Sequence, residues 1–441
     1  MTQKVFIVSY FFPPVGGAGV QRVAKFVKYL PEAGWEPVVL TTSNPSVPLF
    51  DETLVAEIPA GTVIHRARTL EPDYGAKQAV SAASDQSVAR NGLKVFLKRM
   101  LRTLANFLLQ PDPQVLWLPA AYREACRAIR GHRPDVIFSS APPFSSLLLG
   151  AMLARKFQLP LVLDYRDEWD ISNSVWENKR MGRFSLALQQ RMQKYAVTSA
   201  SAIIATTELS ADALRAKLHK WGGKATVSCI YNGYDAADFT APVPRAESDK
   251  LVLAYVGTLW NLTSIEPLVR AIRILSREYP ELAGSLKIEL AGRRTAEQNQ
   301  LLTGLQDTPV QLVIHDYLSH PAALQLMRQA DTLVLLLSNL DMARRVVPGK
   351  IFEYLATGNN ILAITPQGEV WKLLRDYQRA QCCEPADAAA IAELLAEQLR
   401  DFRSRGHLCH EAQDALRYER RELTGQLAAL LSQVVNPGSG K

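Results

Sequence analysis

The stretch VPGKIFEYLATGNNILAI, residues 347–364, decides how the rest of the chain is interpreted. Pro348 suits a first helical position and Gly358 suits a helix stop, so the stretch predicts a short helix between them. The apolar run that follows, residues 359–364, predicts a buried strand. A helix, a tight turn and a buried strand in so short a run are typical of a parallel α/β sheet.

Two charged residues fall near each other on that predicted helix. Lys350 and Glu353 are three residues apart, so their side chains are neighbours on the helix surface. One interpretation is a surface ion pair, because charge pairs at this spacing are common and weak. The other is a nucleotide-sugar site, since a carboxylate accepts two hydrogen bonds from vicinal ribose hydroxyls, and a helix start with a lysine suits a diphosphate. From this stretch alone both interpretations stay open.

Length and composition indicate a globular protein with two domains. The chain has 441 residues, which is too long for one ordinary core, and its hydrophobic content of 48% can fill two. The five cysteines show no paired CxxC spacing, so they indicate neither a disulfide framework nor a zinc site. The first apolar run is too short for a signal-peptide core or a membrane span, and we expect a cytoplasmic protein.

The charge of the chain favours anionic partners. The formal net charge is +7, yet we expect no nucleic acid partner, because no zinc-finger spacing, aromatic RNA-binding strand or arginine-rich arm is present. An amphipathic helical pattern carries five positive charges from Arg90 to Arg102, with no acidic residue between Asp85 and Asp112. This face is either the solvated back of a core helix or a peripheral contact with an anionic inner membrane surface.

A strand, a glycine-rich loop and a helix open the chain. Residues 4–9 predict the strand, and residues 20–30 predict the helix that follows the loop YFFPPVGGAG. Gly16 and Gly17 let backbone approach a ligand and leave helix-start N–H groups free for an anion. A nicotinamide site is disfavoured, because a third glycine and an acidic residue after the second strand are missing. Packing alone is the other interpretation of these glycines.

An acidic cluster follows the predicted strand LVLDY. Its carboxylates are Asp164, Asp167, Glu168 and Asp170. A metal site is a weak interpretation, because an arginine and a tryptophan lie between the carboxylates and no histidine accompanies them. An acceptor pocket is favoured, with carboxylates for sugar hydroxyls and Trp169 for stacking. Asp167 is our candidate for contact with the acceptor.

Alternating strand and helix patterns continue to the end of the chain and predict two α/β domains. We place the first domain at residues 1–240, a linker rich in proline and charge at 241–250, and the second domain at 251–411. The last part, residues 412–441, is predicted to be a helix and tail that pack back on the first domain.

The order of these parts resembles the family 4 glycosyltransferases, retaining enzymes of the GT-B fold. The resemblance covers nearly the whole chain, and its motifs are YFFPPVGGAGVQR, PDVIFSSAPPFS, LVLDYRDEW, IYNGYDAADF, YVGTL and PGKIFEYLATGNNILAI. It implies two Rossmann-like, doubly wound domains that face each other across a cleft. It also implies sugar transfer from a nucleotide-diphosphate-sugar donor to a glycan or polyprenyl-linked acceptor, in cell-surface polysaccharide synthesis. Such enzymes need neither a metal nor a cofactor.

The resemblance assigns roles to particular residues. Glu353 is implied to hold the donor ribose, and Gly16, Gly17 and Gly257 are implied to belong to the donor diphosphate site. Two departures matter: Arg345 stands where many members carry another glutamate, and the usual phosphate cations after YVG are missing. The replacements available are Arg293, Arg294, Arg344, Arg345 and Lys350.

We select four residues from these considerations. Arg293 and Lys350 are the candidates for binding the diphosphate, while Asp167 and Arg345 are the catalytic candidates. Two other functions fit the same fold. One is a noncatalytic nucleotide-sugar-binding partner of another transferase, which Arg345 in place of an acidic residue makes conceivable. The other is a sugar-nucleotide epimerase.

Overall fold

The computed structural model describes residues 2–75, 109–171, 182–240, 248–316, 318–407 and 415–437. The basic segment 90–102 and most of the predicted linker lie outside these residues. Contacts divide the chain into two units: unit 1 is Met1–Tyr231 with Arg420–Lys441, and unit 2 is Asn232–Glu419. Each unit has its own parallel sheet, which confirms the predicted α/β class.

The sheet of unit 1 has seven described strands, all parallel to their neighbours. They are β1 Gln3–Val8, β2 Trp35–Thr42, β3 Val63–Ala67, β4 Val136–Ala141, β5 Leu161–Tyr165, β6 Ala202–Ala205 and β7 Thr226–Cys229. Their order is β3-β2-β1-β4-β5-β6-β7, so the winding direction changes between β1 and β4. Doubly wound sheets bind ligands beyond the carboxyl ends of the strands at such a change of direction.

The sheet of unit 2 has six described strands with the same design. They are β8 Leu251–Val256, β9 Leu286–Ala291, β10 Gln311–His315, β11 Thr332–Leu336, β12 Asn360–Ile364 and β13 Ala380–Cys383. Their order is β10-β9-β8-β11-β12-β13, so the winding direction changes between β8 and β11. The same rule places the ligand-binding edge of unit 2 beyond the ends of β8 and β11.

Helices connect these strands. The α-helices of the described residues are α1 Ala18–Tyr29, α2 Thr53–Ala56, α3 Leu118–His132, α4 Ser145–Phe157, α5 Trp169–Ile171, α6 Arg183–Thr198, α7 Glu208–Trp221, α8 Glu266–Glu278, α9 Pro280–Ala283, α10 Ala296–Leu302, α11 His320–Gln329, α12 Lys350–Thr357, α13 Glu369–Leu374, α14 Ala388–Arg405 and α15 Arg420–Val435. Short 3-10 turns are Leu30–Ala33, Pro113–Trp117, Ala236–Phe239, Thr303–Leu305, Asp341–Arg345 and Leu416–Tyr418. Across the described ranges, no helix combines the length and the apolar character that crossing a bilayer requires.

The residues of β1 alternate between two buried clusters, as a strand covered on both faces should. Phe6 packs in the cluster that includes Leu147 of α4, whereas Val5 packs in the cluster that includes Val23 of α1. The C-terminal helix α15 contributes Leu427 to the second cluster. The last helix of the chain therefore completes a core of unit 1.

The stretch 347–364 forms the helix, turn and strand that its sequence predicts. Helix α12 begins at Lys350 with Gly349 as its N-cap, so the prediction of Pro348 as the first helical residue is wrong. Gly358 ends the helix in the left-handed conformation, with φ of 76°. Its backbone N–H donates to the carbonyl of Leu355 at 3.3 Å. Glycine is the residue that adopts this conformation without a steric penalty.

The contact division differs from the domain boundary at residue 240 that the sequence suggests. Residues 232–240 belong to unit 2. The backbone N–H of Tyr234 donates to the carbonyl of Tyr418 at 3.1 Å, and Tyr234 forms a bridge with Glu419. The segment before the linker is thus held by the segment just before α15.

Candidate active site

Gly257 and Lys350 meet at the ligand-binding edge of unit 2. Gly257 follows β8 directly and has φ of +143°, a conformation that other residues rarely adopt. A Cβ atom on Gly257 would lie 2.9 Å from Nζ of Lys350. The glycine therefore lets the lysine side chain reach the end of β8.

The Lys350 ammonium group rests on an aromatic ring. Its Nζ lies 3.5 Å from the centroid of the Tyr255 ring, which is a cation–π contact. No described carboxylate forms an ion pair with Lys350, so the interpretation of a surface pair with Glu353 is wrong. Desolvation lowers the pKa of Lys350 well below its usual range, and the nearby charge of Glu353 acts in the opposite direction.

Glu353 lies one turn further along α12 and is half-buried. The next residue, Tyr354, is fully buried and fixes the helix on the sheet. Its hydroxyl donates to the carbonyl of Val334 in β11 at 3.3 Å and accepts from the N–H of Val256 in β8 at 3.3 Å. These two hydrogen bonds join α12 to both central strands, so they fix the helix that carries Lys350 and Glu353.

The structure separates the two arginines that follow β9. The Arg294 guanidinium donates to the carbonyls of Gly292 and His315 at 2.6 and 3.0 Å and to the Asp316 carboxylate at 2.8 Å. Arg293 is exposed, and its side chain makes no hydrogen bond or ion pair with the described residues. Arg294 is therefore occupied, and Arg293 is the one available to a phosphate.

Arg345 ends the 3-10 turn Asp341–Arg345 that precedes α12. It is half-buried and interacts with other groups of the protein. The backbone of Arg344 lies against Gly368, where a Cβ atom would come within 2.2 Å of the Arg344 carbonyl oxygen. The turn is thus packed closely on the start of α13. A catalytic role for Arg345 stays a prediction.

The two glycines of the first loop differ in what requires them. A Cβ atom on Gly16 would lie 2.9 Å from the Leu49 side chain, and the Gly16 N–H donates to the Leu49 carbonyl at 3.1 Å. Gly17 has φ of +103° and no atom within 4 Å of a Cβ position, and it is the N-cap of α1. Packing explains Gly16, whereas Gly17 borders open space at a helix start.

The carboxylates of the sequence YRDEWD have different partners. Asp164 is fully buried and accepts hydrogen bonds from the Arg22 guanidinium, at 2.9 Å for the shortest, and from the Ser140 hydroxyl at 2.8 Å. Glu168 accepts from the Ser210 hydroxyl at 2.7 Å. These two carboxylates stabilise the fold of unit 1. Asp170 forms an ion pair with Lys217.

Asp167 is the carboxylate of this cluster that makes no hydrogen bond or ion pair with the described residues. It is half-buried, two residues past the end of β5. Burial raises the pKa of Asp167, while the neighbouring Arg166 charge acts against this. Its carboxylate oxygens can therefore accept a hydrogen bond from a hydroxyl group. Over the described ranges, no group of His, Cys, Asp or Glu is placed to hold a metal ion.

The predicted stacking role of Trp169 is wrong. Its side chain is 1% exposed, so it offers no face to a ligand. The indole Nε1–H donates to Oε1 of Gln189 at 2.8 Å, and the ring stacks on Phe144 with centroids 4.6 Å apart. The local sequence around Trp169 fits both a tryptophan that packs in a core and one that binds a sugar, so it could not distinguish the two.

Two residues of these sites carry no role in the sequence predictions. Tyr255 precedes the YVG glycine by two positions, and Arg166 is the first residue after β5. The position directly after a buried parallel strand is the signal that could have identified Arg166, because strand ends of such sheets face ligands. For Tyr255 the alternation along β8 gave no signal that its ring would meet a lysine.

Residues 16–233 match the family described as the glycosyl transferase 4-like domain. The chain is a glycosyltransferase that carries this domain. The matched region of the transferase contains Gly16, Gly17 and Asp167. No curated protein sequence matches the transferase significantly.

Solved structures share the fold of the transferase along its whole length. HepE from Anabaena, solved with UDP and glucose, is 16% identical with a TM-score of 0.59, over 98% of this chain and 99% of that chain. The trehalose 6-phosphate synthase from Burkholderia multivorans is 12% identical with a TM-score of 0.63, over 100% of both chains. A protein described as a UDP-N-acetylglucosamine 2-epimerase from Listeria monocytogenes is 10% identical with a TM-score of 0.52, over 98% and 96%. At such identities the likeness establishes the fold alone, and this fold is GT-B.

Proposed function

We propose that the transferase is a retaining enzyme that moves a sugar from a UDP-sugar to a hydroxyl group of a glycan or lipid-linked acceptor. The start of α12 carries this proposal, because Lys350 lies beside Gly257 at the end of β8 and Glu353 follows one turn later on the same helix. HepE has the same fold and is solved with UDP and glucose, which supports a uridine nucleotide as the donor.

In this proposal unit 2 binds the donor nucleotide. The Glu353 carboxylate accepts hydrogen bonds from the two ribose hydroxyls, for which its two oxygens are suited. The diphosphate lies at the N-terminus of α12, where backbone N–H groups and the helix dipole favour negative charge. Lys350 and the exposed Arg293 provide the positive charge that the usual cations of the YVG loop provide elsewhere in the family.

The reaction needs electrostatic stabilisation more than a strong base. As the bond between the sugar carbon and the diphosphate oxygen breaks, UDP leaves with the bonding electrons and the sugar gains positive character. Lys350 and the start of α12 stabilise the leaving charge, and we assign the same role to Arg345. Asp167 holds the acceptor hydroxyl, whose oxygen bonds to the same face of the sugar and whose proton leaves with the diphosphate or to water.

A turnover experiment tests this proposal. Radiolabelled UDP-glucose, UDP-galactose and UDP-N-acetylglucosamine are incubated with the full chain and a panel of glycan and polyprenyl-linked acceptors. Transfer of label to one acceptor is the expected result. Binding without turnover would instead support the noncatalytic partner, and a change in the sugar without an acceptor would support an epimerase, an activity that a protein of the same fold is described as having.

We also propose that the transferase works at the inner face of a membrane in cell-surface polysaccharide synthesis. The sequence from Arg90 to Arg102 supports this, since each lysine or arginine near an anionic bilayer contributes on the order of 1 kcal/mol. Replacing Lys94, Lys98 and Arg102 by glutamate should release the protein from vesicles of anionic phospholipid. If the unmodified protein does not co-sediment with these vesicles at low salt, this part of the proposal fails.

A further inference from the structure

His407 lies just past the end of α14 and contacts two other segments of unit 2. Its ring Nδ1 lies 2.8 Å from Oδ1 of Asp331, the residue before β11. Its ring Nε2 lies 2.6 Å from the backbone carbonyl oxygen of Ser248, in the predicted linker before β8. Both contacted segments precede their strands, so this place lies at the amino ends of β8 and β11, opposite the ligand-binding edge of unit 2. The contact is therefore separate from the candidate donor site.

The chemistry of these two partners determines where the ring protons must be. A backbone carbonyl can only accept a hydrogen bond, and so can an ionised carboxylate. A neutral imidazole has one N–H donor, and its other nitrogen is an acceptor. In either neutral form, one ring nitrogen of His407 would therefore direct its lone pair at an oxygen atom at hydrogen-bond distance. Only the doubly protonated ring, the imidazolium, donates to both oxygens.

The second oxygen of Asp331 shows which atom holds the shared proton. Oδ2 accepts the backbone N–H of Val252 at 2.8 Å, so this oxygen carries no proton. The backbone N–H of Asp331 donates to the Val252 carbonyl at 2.9 Å, which fixes the residue between β8 and β11. The remaining oxygen, Oδ1, faces Nδ1 of His407. Because an imidazole is a stronger base than a carboxylate, the proton between these two atoms belongs to the ring.

The other charged groups on these segments do not give His407 a different partner. Arg403, in the last turn of α14, donates to the hydroxyl of Ser285 at 3.1 Å. The ring that packs on His407 is the uncharged Phe402, with centroids 4.8 Å apart. Three further charged residues of these segments form no ion pair with the part of the chain that the structure describes, and they are Asp249, Lys250 and Arg405.

His65 of β3 shows why two acceptors matter. Its Nδ1 lies 2.9 Å from a carboxylate oxygen of Glu124, as Nδ1 of His407 does from Asp331. Its Nε2, however, lies 3.1 Å from Nε2 of His132, and an imidazole nitrogen either donates or accepts. A neutral His65 ring can therefore satisfy both contacts, because His132 can supply the second proton. This makes His65 a matched control within the same chain.

We propose that His407 is a pH-sensitive switch that, when doubly protonated, fixes the end of the predicted linker to the start of β11. Loss of one proton breaks one of its two hydrogen bonds, because the neutral ring has a single N–H. In the unfolded chain neither acceptor is held beside the ring. The doubly protonated contact therefore stabilises the fold at low pH, and this contribution is lost as pH rises and the proton leaves. The proposal does not depend on the proposed function.

Nitrogen NMR of the full chain with ¹⁵N-labelled histidine tests the protonation directly. Nitrogen chemical shifts distinguish an imidazolium from both neutral forms, and the His407→Gln variant identifies the signals of His407. At about pH 7.5, above the value near 6.5 at which histidine side chains usually lose the proton, His407 should still be doubly protonated. A neutral His407 ring at this pH would overturn the proposal.

Hydrogen exchange measures the consequence at the end of the linker. The reporter is the Val252 N–H, because Asp331 accepts it and His407 binds Asp331. In His407→Gln this N–H should exchange about tenfold faster than in the unmodified protein at about pH 6, and the difference should disappear by about pH 9. His65→Gln should not change exchange at Val252 at either pH. Equal exchange in His407→Gln and the unmodified protein at the lower pH, or a difference that persists at the higher one, would contradict the switch.

Discussion

The starts of α1 and α12 both have a cation nearby, but the two cations differ in kind. Each follows a glycine with no side-chain cap, and each has a cation beside its first turn. Arg166, beside α1, is fixed by bonds to two carbonyls and keeps its charge at any ordinary pH. Lys350, in α12, lies on the Tyr255 ring and has a lowered pKa. The comparison shows that a helix start at the ligand-binding edge of a sheet can lie beside either a permanent or a titratable cation.

The largest expected effect is on stability, and it distinguishes a structural carboxylate, Asp164, from a functional one, Asp167. Asp164→Asn breaks a fully buried ion pair with Arg22 and should lower the free energy of unfolding by about 3–5 kcal/mol. Asp167→Asn removes no bond to a described residue, so it should change that free energy by less than about 1 kcal/mol but reduce sugar transfer. Urea unfolding and a transfer assay measure both. Equal destabilisation by the two variants would contradict this division.

The next effect concerns pH at α12. The charged form of Lys350 attracts a diphosphate, and it is lost as pH rises through the lowered pKa of Lys350. UDP affinity should therefore fall with rising pH in the window between that lowered pKa and the usual value of about 10.4, by roughly tenfold. Lys350→Arg keeps its charge and should remove this dependence. A pH profile by calorimetry that is identical in both proteins would show that Lys350 does not titrate in the site.

The smallest effect concerns the arginines after β9. Arg293→Ala removes an exposed charge and should weaken UDP binding by less than about fivefold, without changing the melting temperature. Arg294→Ala removes hydrogen bonds to Gly292, His315 and Asp316 and should lower the melting temperature instead. Melting curves and titrations of the two variants distinguish these roles. The reverse pattern would mean that the phosphate is bound by Arg294.

The fold was predictable from sequence where strands are buried on both faces. Continuous apolar runs predicted β1, β4, β8 and β11, because parallel strands covered by helices on both faces need no polar face. Edge strands were harder to predict from the sequence. β3 includes His65 and Arg66, and β13 is short and half-buried, so neither shows the buried pattern. Paired with one strand only, such segments take their structure from the neighbouring strand.

The candidate site was predictable only in part. The YVG glycine indicated a ligand site at the end of β8. The spacing of Lys350 and Glu353 indicated one at the start of α12. The sequence could not show that Gly257 makes room for Nζ of Lys350, because this depends on how a helix and a strand cross. It also could not separate Asp164 from Asp167, whose partners come from distant parts of the chain. Contacts between segments that are distant in sequence cannot be predicted from the sequence of one chain alone.

One measurement tests the central claim most directly. Glu353→Gln keeps the shape of the side chain but removes the charge that would accept the ribose hydroxyls. Hydrogen bonds to a charged group contribute about 1.5–3 kcal/mol, so UDP affinity measured by calorimetry should fall roughly tenfold to a hundredfold. The melting temperature should not change, because a half-buried helix position tolerates glutamine. An unchanged affinity for UDP in a folded Glu353→Gln would contradict the assignment of the donor site to α12.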